Sequence, residues 1–141
     1  MKTKTILGII ITAVIFIAVP LMAAEEHKTP TAPKEYIDMK NPMKADKDVL
    51  ERAEGIFMKK CKKCHGEKGD GKGSGAKDLE IKPKAFTKDY LKNRPDGQLF
   101  WIIEKGSANT DMEAMGPGSE TNISKDDMWK LVTYIKGKFG K

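Results

Sequence analysis

The chain has 141 residues, of which 33% are charged, with a formal net charge of +6 and only two Cys and two His. That length allows one domain of ordinary size, and the charge content excludes multi-pass membrane, collagenous and low-complexity classes. Two Cys also exclude a disulfide-dense secreted scaffold, since they form one bridge at most.

Residues 1–24 read MKTKTILGIIITAVIFIAVPLMAA. Lys2 and Lys4 precede an uncharged apolar run, the charged-then-apolar order of an export signal. Ala24 suits the last residue of a cleaved signal, although Met22 is large for its position before the cut. The uncharged stretch is also long enough to span a bilayer, so a retained anchor over residues 6–24 is the alternative. Either way the body is expected outside the cytoplasm, in the periplasm or on the outer face of the cytoplasmic membrane. Loss of this segment removes two Lys and no acid, leaving a charge of +4. That is too weak a positive charge for a nucleic-acid argument. Residues 25–45 carry Pro30, Pro33 and Pro42 and no apolar period, the pattern of a linker or arm. A tether is expected over 25–34, and an arm wrapped on the domain over 35–45 through Tyr36, Ile37 and Met39.

The body, residues 46–141, reads as helical. Asp46 or Asp48 caps a helix running to about Lys60, with Val49, Ala53, Ile56 and Phe57 on one face. The run GEKGDGKGSG, residues 66–75, holds five Gly and is a loop. Thr87 starts a short helix through Leu91 that Pro95 ends. Asp96 caps the next helix, which bears Leu99, Phe100, Ile102 and Ile103 and stops at Gly106. Residues 107–122 are turn-rich. Ser124 caps a last helix, with Asp127 three residues on in the manner of a capping box. Its apolar face is Met128, Leu131, Val132 and Ile135, and Gly137 and Gly140 end it. No alternating strand pattern and no internal repeat is evident.

Cys61-Lys62-Lys63-Cys64-His65 is C-x-x-C-H, the attachment signal for c-type haem. Two thiols three apart at a helix end can add to the two vinyl groups of one porphyrin, and the adjoining His supplies a proximal nitrogen to iron. Competing readings are weaker. A zinc site needs further ligands, and His27 is the only other Cys or His. A dithiol redox site needs a βαβ context. A plain disulfide stays open in an oxidising compartment. For the sixth position Met, His or no ligand are the usual options. His27 is a poor candidate in a tether. Met112 and Met115 lie in the loop before the last helix, where a thioether can be presented to iron, whereas core filling is the commoner role of Met.

On these residues, 46–137 resemble a class I monohaem cytochrome c. The resemblance rests on Arg52-Ala53 with Phe57 ahead of Cys61, on CHGEKGDGKG, on DGQLFWIIEKG (96–106) and on Ser124–Ile135 with Trp129 and Tyr134. It implies an all-α fold, a small globule of three to five helices around one covalently attached haem c, whose first and last helices meet near Ala53 and Phe57. It implies Cys61 and Cys64 as thioether anchors, His65 as proximal ligand and Met112, six residues after Gly106, as distal ligand. Met115 is the alternative, favoured by the spacing to Trp129. Glu113 stands where the family usually has Pro, and so does Ser74, whose carbonyl would take the proton of the His65 ring.

The function implied is an exported single-haem electron carrier, not an enzyme, cycling between Fe(III) and Fe(II) in transient contact with redox partners. Lys59, Lys60, Lys62, Lys63, Lys68 and Lys72 crowd the haem motif in sequence and suit an acidic docking face on such a partner. Two alternatives remain: a membrane-tethered haem subunit of a larger oxidoreductase, and a five-coordinate haem protein that binds a gas or performs peroxidase chemistry.

Overall fold

A computed structural model describes residues 27–141. The candidate signal or anchor, residues 1–24, lies outside the described residues. Among the described residues there is no strand, and no helix is long and apolar enough to cross a membrane.

The helices are α1 (Lys34–Ile37), α2 (Lys47–Ile56), α3 (Lys62–His65), α4 (Lys88–Lys92), α5 (Asp96–Lys105) and α6 (Lys125–Phe139). A π-helical turn, Phe57–Cys61, joins α2 to α3, so the chain runs helically from Lys47 to His65. The all-α expectation holds, and counted as continuous segments there are five α-helical units. Three of the expected caps are made by side chains. Asp46 accepts from the amide of Val49 at 2.9 Å, Thr87 from that of Tyr90 at 3.1 Å, and Ser124 from that of Asp127 at 3.1 Å. Each satisfies a first-turn N–H that has no partner inside its helix. Two boundaries differ from expectation. Pro95, not Asp96, occupies the cap position of α5, because its fixed φ leads directly into the helix and Asp96 is already helical. Gly137 does not end α6, which continues to Phe139 and closes at Gly140.

The core forms where α2, α5 and α6 meet. Ala53, Phe57, Met128, Leu131 and Val132 are fully buried, and Phe100 and Leu91 nearly so. α2 packs on α6 with the Phe57 ring 5.5 Å from that of Tyr134, and the Tyr134 hydroxyl donates to Glu54 at 3.0 Å. Phe100 of α5 stacks on Trp129 of α6 at 4.2 Å. The expected meeting of first and last body helices is therefore seen, with Ala53 and Phe57 fully buried.

The arm is fastened earlier than a tether over 25–34 would allow. Ala32 is buried and its amide donates to Gln98 Oε1 at 2.8 Å, while Gln98 Nε2 donates to the Pro30 carbonyl at 3.0 Å. Tyr36 Oη donates to Glu104 Oε2 at 2.6 Å, and Asn41 Nδ2 donates to the Trp129 carbonyl and to Thr133 Oγ1. The physical reason is that buried Gln98 and Glu104 on α5 need polar partners, and the arm supplies them. That demand lies some sixty residues away in sequence.

Candidate haem site

The site begins at the helix end. Cys61, Cys64 and His65 stand at i, i+3 and i+4, which puts them on one face of the helix. The π-turn that precedes them resets the phase of that face relative to Phe57, a local device often found at functional positions. Gly66 ends the helix at φ 77°, and the Gly-rich loop folds back over it. The amide of Gly71 donates to the His65 carbonyl at 2.8 Å and that of Gly73 to the Cys64 carbonyl at 3.1 Å. A side chain at Gly73 would overlap the Lys63 carbonyl oxygen, so the close return requires Gly there.

Cys61 and Cys64 are half-buried free thiols, with no disulfide between them. Burial, with a smaller contribution from Cys64, pushes the Cys61 thiol up to about 12, which removes the exposed thiolate a dithiol redox centre would need. Among the described residues no cluster of three His, Cys, Asp or Glu could hold a metal ion, which leaves a zinc site without its ligand set. Burial lowers His65 to about 4, so its ring is neutral and keeps a lone pair for a metal. The ring stacks on Phe86 at 4.8 Å.

Its Nδ1 is buried with no hydrogen-bond partner, so the contact expected from the Ser74 carbonyl is not made. Ser74 instead opens a short 3₁₀ turn, Ser74–Ala76, whose Ala76 amide bonds back to Gly73.

Both thiols and His65 face a partly open, mainly apolar cleft of about 1210 Å³, mouth included. Leu99, Ile102 and Ile103 of α5 and Leu131 and Ile135 of α6 form walls, with Ile81, Pro83 and Phe86 from the intervening loop. Met112 and Met115 line it as well. Their loop is tied to the end of α5: the Met115 amide donates to the Ile103 carbonyl at 3.0 Å and the Gly116 amide to that of Glu104 at 3.2 Å. Met115 also packs against the core. Met112 has looser support, its amide on Thr110 Oγ1 at 3.1 Å and its carbonyl on the Ser107 amide at 2.8 Å. The structure thus gathers Cys61, Cys64, His65, Met112 and Met115 around one space.

It adds one residue that sequence reasoning set aside. His27 lines the same cleft, and its Nε2 is buried without a partner. Nothing local to the sequence signals this, because the position of His27 follows from the docking of the arm on Gln98.

The donor set, two thiols, a neutral imidazole and two thioethers lining one apolar cleft, suits a covalently held porphyrin. The comparisons agree. The family model described as cytochrome c oxidase, cbb3-type, subunit III matches residues 48–135. The chain belongs to this family of c-type cytochromes. It therefore binds haem c covalently and is an electron-transfer domain.

A protein of the reducing HAO-like complex of Kuenenia stuttgartiensis shares the fold, with a TM-score of 0.56 at 21% identity over 73% of this chain and 48% of that one. Cytochrome cL of Methylophaga aminisulfidivorans is 26% identical over 66% of this chain and 57% of its own, at a TM-score of 0.49. Cytochrome cL of Hyphomicrobium denitrificans is 29% identical over 75% and 62%, at 0.46. The cytochrome thus spans about half the length of the first two chains. No curated protein matches the sequence.

Proposed function

We propose that this cytochrome is an exported single-haem electron carrier that passes one electron at a time between membrane or periplasmic redox partners. Bound haem supplies the Fe(III)/Fe(II) couple. Cys61 and Cys64 would hold it through thioethers, neutral His65 would bind iron on one side, and Met112 would bind it on the other. The convergence of these four side chains on one apolar cleft carries the reading. Met112 is preferred to Met115 because it stands six residues after Gly106 and because the Met115 side chain is packed against the core. Met115 then serves as wall and Met112 as ligand. A closed, doubly ligated site suits electron transfer, since little rearranges between oxidation states, and His/Met ligation raises the potential. Lys59, Lys60, Lys63, Lys68 and Lys72 are exposed around the helix end and would steer an acidic partner toward it.

The test is an optical spectrum of the purified holoprotein and its variants. Wild type is expected to show the weak far-red band of ferric iron bound to Met sulfur. Met112→Ala should abolish it and Met115→Ala should keep it. Replacing both Cys by Ala should leave no covalently attached haem on a denaturing gel. The reverse assignment of the two Met would move the ligand to Met115, and a wild type that binds CO readily when reduced would favour the five-coordinate alternative.

The description of the matched family as an oxidase subunit favours a second reading, a haem module tethered to a larger membrane complex by residues 6–24. N-terminal sequencing of the exported protein separates the two. A mature chain starting near residue 25 supports the carrier, and an intact N-terminus in the membrane fraction supports the tethered subunit.

A further inference from the structure

His27 is a half-buried imidazole that the proposed site does not use. Its Nε2 has no hydrogen-bond partner and it lines the haem cleft. An unsatisfied buried polar atom costs about 1–3 kcal/mol and calls for an explanation. The cleft has two sides of different origin. Cys61, Cys64 and His65 come from the α2–α3 helix. Another part of the lining comes from α5 and from what α5 holds. The Met loop is tied to its C-terminal end through the Ile103 and Glu104 carbonyls. The arm is tied to it through Gln98, which bonds both Pro30 and Ala32. Ile102, one helical turn on from Gln98, faces the cleft, as do Thr29 and His27. His27 and Met112 thus line the same cleft as the proximal His65. An imidazole nitrogen is a good ligand for iron, and here it carries no competing hydrogen bond.

We propose that His27 is a second distal ligand held beside Met112, whose Nε2 takes the sixth position when the Met112 sulfur leaves. The exchange breaks one iron–sulfur bond and forms one iron–nitrogen bond. The imidazole nitrogen supplies the lone pair, and the electron count of the metal does not change. Because His/Met ligation raises the potential, the exchange lowers it. The arm thereby becomes a redox-tuning element: whatever pulls on the chain N-terminal to His27 alters access of this ring to the iron. The proposal rests on the assignment of His65 and Met112 made above.

The experiment uses full-length holoprotein, in which the haem stays attached through Cys61 and Cys64 whatever the distal ligand. Ferric Met112→Ala should lose the Met band yet remain low-spin and six-coordinate, with an electron paramagnetic resonance signal of two axial imidazoles. Met112→Ala/His27→Ala should turn high-spin and bind CO readily when reduced. Free imidazole added to the double variant should restore the low-spin spectrum, which shows that its cleft is intact. A Met112→Ala protein that is already high-spin, or a double variant indistinguishable from the single one, would overturn the proposal. If wild type lacks the Met band but is low-spin, and His27→Ala alone makes it high-spin, then the Met112 assignment fails and His27 is the resident ligand. A high-spin wild type defeats both.

Discussion

Gly97→Ala and Gly55→Ala are the same chemical change in two helices, and the structure gives them opposite signs. A Cβ on Gly97 would overlap the carbonyl oxygen of Tyr36, come within 2.7 Å of its carbon and reach 3.3 Å from Met39 Cβ. These are mostly backbone atoms of the arm, so no rotamer change relieves the overlap. α1 must shift away from α5. The shift is opposed by the Tyr36–Glu104 hydrogen bond at 2.6 Å and by the Gln98 pair to Pro30 and Ala32. A hydrogen bond to a charged group is worth about 1.5–3 kcal/mol, so full undocking costs at least that much. A partial shift falls under the usual overpacking cost of about 1–3 kcal/mol. Both routes give a loss near 2 kcal/mol, and at about 4–8 °C per kcal/mol for a small domain Tm should fall by ~8–16 °C. At Gly55, mid-helix in α2, a Cβ meets nothing within 4 Å. Only helix propensity acts there, and Ala should stabilise by about 0.5–1 kcal/mol. Thermal melts of the two ferric variants, followed by far-ultraviolet circular dichroism, provide the comparison. A Gly97→Ala protein as stable as wild type would refute the claim that the arm is docked on α5.

Other expectations concern single contacts. Ser124→Ala removes the cap of α6 and should cost about 1 kcal/mol in urea unfolding. Tyr36→Phe deprives buried Glu104 of its donor and should cost about 1–3 kcal/mol. The Glu104 hydrogen bond pushes the Tyr36 phenol up to about 12. Its contribution is therefore complete below the ordinary value of 10.0 and fades as pH rises toward 12, so wild type and variant should converge in that range. The Arg52 hydrogen bond holds the Asp127 carboxyl below its ordinary 3.8, with burial opposing and Lys130 assisting. Its stabilisation is present above 3.8 and lost as pH falls below that value. Arg52→Ala should therefore lower stability most at neutral pH and least in acid, as read by urea unfolding across pH.

What the sequence by itself determined was local. Three helix starts followed from Asp46, Thr87 and Ser124, because a cap needs only a side chain and an amide three residues on. C-x-x-C-H pointed to haem attachment because its chemistry is complete within five residues. The tertiary structure decided what depends on distant partners. A π-turn at Phe57–Cys61 leads into the motif, and no residue in the sequence announces it. By spacing, Gly106 points to Met112 and Trp129 to Met115, with Met112 preferred. Only the structure shows their loop hydrogen-bonded to α5 and Met115 packed against the core. Residues 27–34 look like tether because they contain Pro and lack apolar period. They are ordered by Gln98, a buried polar side chain that had to find partners off its own helix. That long-range satisfaction of a buried amide also brings His27 to the cleft.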